Sequence, residues 1–111
     1  MEITTTPLKH CVLVKIAGRV DSSTAPKLSE AINQIQHNGQ YRIVLDMDQV
    51  EFISSSGLWV LVNSQKSSKR YNRGEVVLAC VPEKILASLD LAGFVPFFKM
   101  YEDVTTAVGS F

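Results

Sequence analysis

The chain has 111 residues, 46% of them hydrophobic and 20% charged, with 11 Lys+Arg balanced by 11 Asp+Glu for a net charge of zero. That length suits one domain over residues 1–111, able to hide about 65% of its unfolded surface without disulfides. Neutrality argues against nucleic-acid binding, which draws on clustered Lys and Arg displacing counterions from phosphates. No apolar run approaches the roughly 20 residues that span a bilayer, and Met1–Pro7 lacks the basic segment and apolar core of a signal peptide. The expectation is a cytoplasmic protein with no membrane insertion.

In chain order, Glu2–Thr6 is β-prone and pairs as a hairpin with Cys11–Ala17, where Val12, Val14 and Ile16 alternate with Cys11, Leu13 and Lys15. Gly18 marks the exit from that strand. Asp21-Ser-Ser-Thr-Ala-Pro26 then offers hydroxyl caps and a proline in the first turn of a helix. Leu28, Ala31, Ile32 and Ile35 give that helix one apolar face, and Asn38-Gly39 ends it. Ile43-Val44-Leu45 reads as a short strand covered on both faces.

A second helix is predicted from Ser56 or Gly57 to about Tyr71, and Val76–Cys80 is another doubly buried strand. Pro82 opens a third helix through Ile85, Leu86 and Leu89, closed by Gly93. Phe97–Tyr101 is a final strand, and Glu102-Asp103 begins a short helix with Val104, Ala107 and Val108. Strands alternating with about four helices predict an α/β fold with a mainly parallel or mixed sheet.

Cys11 and Cys80 read as small buried core thiols, and His10 and His37 as non-ligands, with no acidic or Cys neighbour at metal spacing. No cofactor and no metal is expected. Asp46, Asp48 and Glu51 solvate a loop, and Lys66, Lys69, Arg70 and Arg73 form a solvated helix end complementing the dipole. Ile53-Ser54-Ser55-Ser56-Gly57 lacks the first glycine of a nucleophile elbow, and no phosphate-binding glycine loop is present. No constellation for an enzyme is complete.

Val50-Glu-Phe-Ile-Ser-Ser-Ser-Gly-Leu-Trp-Val60 is the informative segment. Its hydroxyls stand between a buried strand and a helix, so Ser56 or a neighbour serves as N-cap. The same geometry suits a phosphoacceptor, because free N–H groups and the positive end of the helix dipole favour an added phosphate. On a helical wheel Leu58, Leu61 and Val62 face the sheet. Trp59 and Val60 fall with Ser56, Asn63, Ser67 and Arg70 on the other side. Tryptophan is strongly enriched at interface hot spots, so a protein-binding surface centred on Ser56 is expected.

Ile43-Val-Leu-Asp-Met-Asp-Gln-Val-Glu-Phe-Ile-Ser-Ser-Ser-Gly-Leu58 resembles the signature of STAS domains, specifically the bacterial anti-sigma factor antagonists. Gly18-Arg-Val-Asp21-Ser-Ser-Thr-Ala25 is similar to the family's turn before its first helix. Val81-Pro-Glu-Lys-Ile-Leu-Ala-Ser-Leu-Asp-Leu-Ala-Gly-Phe94 is similar to its third helix and following turn. The resemblance implies that Ser56 is the phosphorylated serine, with Ser55 and then Ser54 as the alternatives, and that Asp21 is the acidic residue near it. Taken with the helical wheel, this makes Asp21, Ser55, Ser56, Gly57, Trp59, Val60 and Asn63 the expected partner-binding residues.

Two positions depart from the family pattern: Ser54 stands where Asp is usual, and Trp59 where a small residue is common. The implied activity is a partner switch without catalysis. The unphosphorylated domain binds an anti-sigma factor serine/threonine kinase and frees a sigma factor for transcription; phosphorylation ends the contact, and a PP2C-type phosphatase restores it. The free domain is expected to be a monomer. The alternative is a STAS interaction subunit that is never phosphorylated, in a lipid-transport ATPase or a stress-signalling scaffold.

Overall fold

A computed structural model describes all of residues 1–111. The chain forms β1 (Glu2–Pro7), β2 (Val12–Val20), α1 (Ala25–His37), β3 (Arg42–Ile53), α2 (Ser55–Lys69), β4 (Glu75–Ala79), α3 (Glu83–Leu91), β5 (Met100–Tyr101) and α4 (Val104–Gly109). The strands make one five-stranded sheet in the order β1-β2-β3-β4-β5. Only the β1–β2 hairpin is antiparallel; the other pairs are parallel, so the sheet is mixed.

Alternation along the strands divides the core in two. Val12, Val14 and Ile16 of β2, Ile43, Leu45 and Met47 of β3, and Val76 and Leu78 of β4 point to one side. There they meet Leu28 and Ile32 of α1, Leu61 and Val62 of α2, and Ile85 and Leu89 of α3. On the other side Cys11, Val44, Val77 and Ala79 are covered by Ala107 of α4. Hydrophobic burial at about 25 cal/mol per Å² drives both contacts.

Buried amides fix the helices in place. Gln36 of α1 donates to the Ser64 carbonyl at 3.0 Å and to Ser68 Oγ at 2.9 Å on α2. Gln65 of α2 accepts from the Val76 N–H at 2.7 Å and donates to the carbonyls of Val76 and Phe97 at 2.9 and 2.7 Å. No buried side-chain polar atom is left without a partner, which matters because each orphan would cost about 1–3 kcal/mol.

Five local expectations are corrected. Gly18 does not end its strand: β2 runs on to Val20, and Gly18 sits inside it at φ +100 beside a register shift, with Met1 pressed against the space of a Cβ. β3 extends 12 residues to Ile53, because two irregularities in its pairing with β2 re-aim Val50 and Ile53 into the core. Asp46, Asp48 and Glu51 therefore stand on a strand and not in a loop, and Asp46 is buried, its Oδ1 accepting from the Asp48 N–H at 3.1 Å. The predicted strand from Phe97 shrinks to Met100–Tyr101, since Val95-Pro96-Phe97 is a 3-10 turn and proline cannot donate to a ladder. Cys80 is only half-buried and adopts φ +56 at the turn after β4.

Charge is sorted along the strands. Lys9, Arg42, Lys69, Arg70, Arg73 and Lys99 belong to the ends where β2–β5 begin. Asp21, Asp48, Glu51, Glu83, Glu102 and Asp103 belong to the halves or turns where they finish. Glu75 at the first end and Arg19 and Lys84 at the second are exceptions, so neutrality is a sum over two mostly unlike ends.

Candidate functional site

Two turns leave the sheet side by side where β2 and β3 finish. Val20 and Ile53 are register partners, and the Ser54 N–H donates to the Val20 carbonyl at 2.8 Å, which ties the turns together. Ser54 is the N-cap of α2: its backbone is extended at φ −85, ψ 173, and its Oγ accepts from the Gly57 N–H at 3.3 Å. The helix therefore starts at Ser55, one residue before the earlier of the two predicted starts, and Ser56 is not the cap. With Ser54 still bonded to a strand end, only it has the non-helical backbone an N-cap requires.

Ser55 and Ser56 occupy the first turn of α2, both exposed, and their hydroxyls make no hydrogen bond within the chain. Their N–H groups are among the donors that a helix start leaves without carbonyl partners. The first turn carries no acidic residue, while Lys66 and Lys69 sit in the last. No carboxylate of its own first turn therefore meets the positive end of the α2 dipole where a phosphate on Ser56 would lie.

Gly57 is the steric condition for this arrangement. A Cβ there would stand 2.7 Å from both Ile53 Cγ1 and Val20 Cγ1, so α2 can begin this close to the strand ends only without a side chain. Gly57 is buried for the same reason. It positions the serine turn from beneath the surface of the domain.

Asp21 is likewise engaged inside the chain. Its Oδ1 accepts from the Ser23 N–H at 3.0 Å, the Ser23 hydroxyl at 2.7 Å and the Thr24 N–H at 3.2 Å. The Thr24 hydroxyl accepts from the Asp21 N–H at 2.9 Å and donates to the Arg19 carbonyl at 2.9 Å. The Ser23 hydroxyl, joined by these amides, holds the Asp21 carboxyl below its ordinary value. Thr24 caps α1 without a side-chain bond to it, so the predicted hydroxyl cap is replaced by an Asp-centred turn.

Ser56, Trp59, Val60 and Asn63 share one face of α2 at helical spacing. Trp59 is 50% exposed, Val60 half-buried and Asn63 exposed, while Leu58, Leu61 and Val62 are buried against the sheet as expected. Trp59 does not stand alone: its ring meets Phe94 edge-on at 5.2 Å, and Phe94 meets Phe97 at 5.9 Å. Phe97 is 47% exposed. The aromatic band thus runs from α2 onto the connection between α3 and β5. Sequence reading missed Phe94 and Phe97, and the signal that could have found them was Pro96, which takes Phe97 out of a strand.

No group of His, Cys, Asp and Glu side chains is placed to hold a metal. Burial first, then the carboxylates of Asp46, Asp48 and Asp103, push the Cys80 thiol up, and burial does the same to Cys11. Both changes lower the thiolate fraction that nucleophilic chemistry requires. No helix is long and apolar enough to cross a membrane.

The STAS domain family model matches residues 2–107. Among curated relatives, the anti-sigma-B factor antagonist of Listeria monocytogenes is 31% identical over 78 residues, 70% of this chain and 68% of the relative. The anti-sigma-F factor antagonist RsfB of Mycobacterium tuberculosis is 29% identical over 109 residues, 96% of this chain and 89% of RsfB. Among solved structures, an anti-sigma factor antagonist from Mycobacterium paratuberculosis superimposes with a TM-score of 0.87 at 22% identity, covering 98% of this chain and 92% of that one. The phosphorylated form of the Bacillus cell fate determinant SpoIIAA gives 0.77 at 13% identity, covering 98% of both chains. The mixed α/β architecture is that of these neighbours.

Proposed function

The chain belongs to the STAS domain family, and from that premise we propose that residues 1–111 act as an anti-sigma factor antagonist. In this reading the unphosphorylated domain, a monomer in the cytoplasm, binds an anti-sigma factor serine/threonine kinase and frees a sigma factor. Phosphorylation of Ser56 ends the contact and a PP2C-type phosphatase restores it. The domain binds and is modified; it catalyses nothing.

The observation that carries this reading is the exposed, unbonded Ser56 hydroxyl in an acid-free helix start, on one face with the half-exposed Trp59. Ser55 is also exposed and stands one turn before Trp59, but it lies farther round the helix from Val60 and Asn63 than Ser56 does, and Ser54 has its oxygen engaged with Gly57. Ser54 in place of the family's usual Asp also fits, because serine caps a helix about as well as aspartate and removes a negative charge from beside the phosphoacceptor.

A phosphate adds about 1.5 to 2 negative charges. The helix dipole would stabilise it by only about 0.3–1 kcal/mol at an exposed site. Moving a partner from 99% to 1% bound takes about 5.5 kcal/mol, so blockade of the interface outweighs rearrangement within the domain. The test is intact-mass analysis after incubation with ATP and a serine kinase encoded beside this gene, followed by binding of the modified and unmodified chain to that kinase. The expected result is one phosphate, absent in Ser56→Ala, and affinity lower by about 10⁴-fold in the modified chain. No phosphate on any serine of the turn would remove the switch and leave the unphosphorylated interaction subunit as the reading.

A further inference from the structure

At the opposite end of β3 from the serine turn, three connections border a half-open cavity of about 320 Å³. The β1–β2 hairpin supplies Lys9 and His10, the segment entering β3 supplies Tyr41 and Arg42, and the segment entering β4 supplies Arg73. No acidic residue lines it. Glu75, which opens β4 beside Arg42, turns its carboxylate to Lys69 and Lys99 at 3.9 and 3.6 Å. Lys9, Arg42 and Arg73 take part in no ion pair.

Arg73 was expected to be one of several solvated cations, and it is held rigidly instead. Its Nε donates to the Arg70 carbonyl at 3.0 Å, one Nη to the Tyr41 hydroxyl at 2.8 Å and the other Nη to the Ser67 carbonyl at 2.6 Å. The guanidinium lies 3.8 Å from the centre of the Tyr41 ring. Gly74 makes this possible: a Cβ there would run into the Tyr41 carbonyl, so only glycine lets the two segments press together. All of these partners are neutral, so the charge of Arg73 is oriented but not compensated. Of the five N–H donors of a guanidinium, three are used and two remain.

We propose that this cavity binds a small phosphate-bearing anion, with Arg73 as its fixed anchor and Arg42 and Lys9 closing on the charge. A planar guanidinium fork suits phosphate oxygens, and the ordered side chain brings little entropy cost to binding. The volume is at the lower end of the roughly 300–1,000 Å³ of small-molecule sites, large enough for a phosphate joined to a compact organic group beside Leu8 and Tyr41.

The experiment is an amide NMR titration of the whole chain with inorganic phosphate, pyrophosphate and a nucleoside monophosphate, at ionic strength held constant with sodium chloride. The expected result is saturable shifts confined to residues 8–11, 39–42 and 67–74. Binding should weaken about tenfold in Arg42→Gln, as for loss of one charge-assisted hydrogen bond, and at least as much in Arg73→Gln. Arg42 is exposed, so its variant keeps the test valid if loss of Arg73 loosens the turn. Tighter binding of the nucleotide than of pyrophosphate would assign the organic group to Leu8 and Tyr41; equal or weaker binding would assign the site to the inorganic anion. Shifts that sodium chloride reproduces, or affinity unchanged in Arg42→Gln, would overturn the proposal.

Discussion

The turns that follow β2 and β3 are built from similar residues, Asp21-Ser-Ser-Thr24 and Ser54-Ser-Ser-Gly57, and joined by the bond from Ser54 to Val20, yet they end in opposite states. In the first, Asp21, Ser23 and Thr24 bond one another. In the second, Ser54 alone is engaged, and Ser55 and Ser56 point unbonded to solvent. Availability, not residue type, separates a structural turn from a candidate site. The β2 turn is the frame, and the β3 turn displays what the frame holds still.

The contrast is broken most strongly at Gly57. In Gly57→Ala the methyl would overlap Ile53 and Val20, and unfolding in urea should show a loss of about 1–3 kcal/mol, as for overpacked core positions. A loss well under that would mean the serine turn can shift without disturbing the strand ends. Next is Trp59→Ala, which should cost at least about 1 kcal/mol in kinase binding by calorimetry. In folding it should cost the roughly 0.5–1.5 kcal/mol of an edge-on aromatic pair plus the burial of the covered half of the ring, without loss of the fold. Unchanged affinity would move the interface off this face of α2.

Ser54 sharpens the comparison in a smaller way. Ser54→Ala should lower stability by about 1 kcal/mol, and Ser54→Asp should restore it, because either oxygen caps the helix. If Ser54→Asp also reduces phosphate incorporation on Ser56, the added charge disfavours the reaction. The mildest test is acid. Asp21 titrates below its unfolded value, so its stabilising contribution is complete above about pH 3.9 and is lost as pH falls through the lower folded value. Asp103, lowered by its bond from the Thr106 N–H, acts in the same window. Urea midpoints between pH 2 and 5 should therefore fall less steeply in Asp21→Asn, with a residual slope from Asp103.

Elements with regular periodicity were legible in the sequence. α1, with Leu28, Ile32 and Ile35 in the core and Gly39 at φ +88 after its end, follows the pattern directly, as do the hairpin and α4. β3 was not, because its pairing irregularities shift the apolar positions from Leu45 and Met47 to Val50 and Ile53, and a strict period of two fails there. The face carrying Trp59 could be read from the wheel. Which serine caps could not, because that depends on where β3 stops. The acceptors of Arg73 were also invisible, being backbone carbonyls and a tyrosine distant in the chain.

The sorting of charge along β2–β5 bears on how partners meet this molecule. Its longest dimension is 30 Å, several times the Debye length of about 8 Å at physiological salt. An approaching surface therefore senses one pole and not the sum of both, and a net charge of zero does not mean weak steering. A phosphate on Ser56 would enlarge the acidic pole and leave the basic one untouched. Modification would thus alter how the protein turns as it collides, before any contact is made.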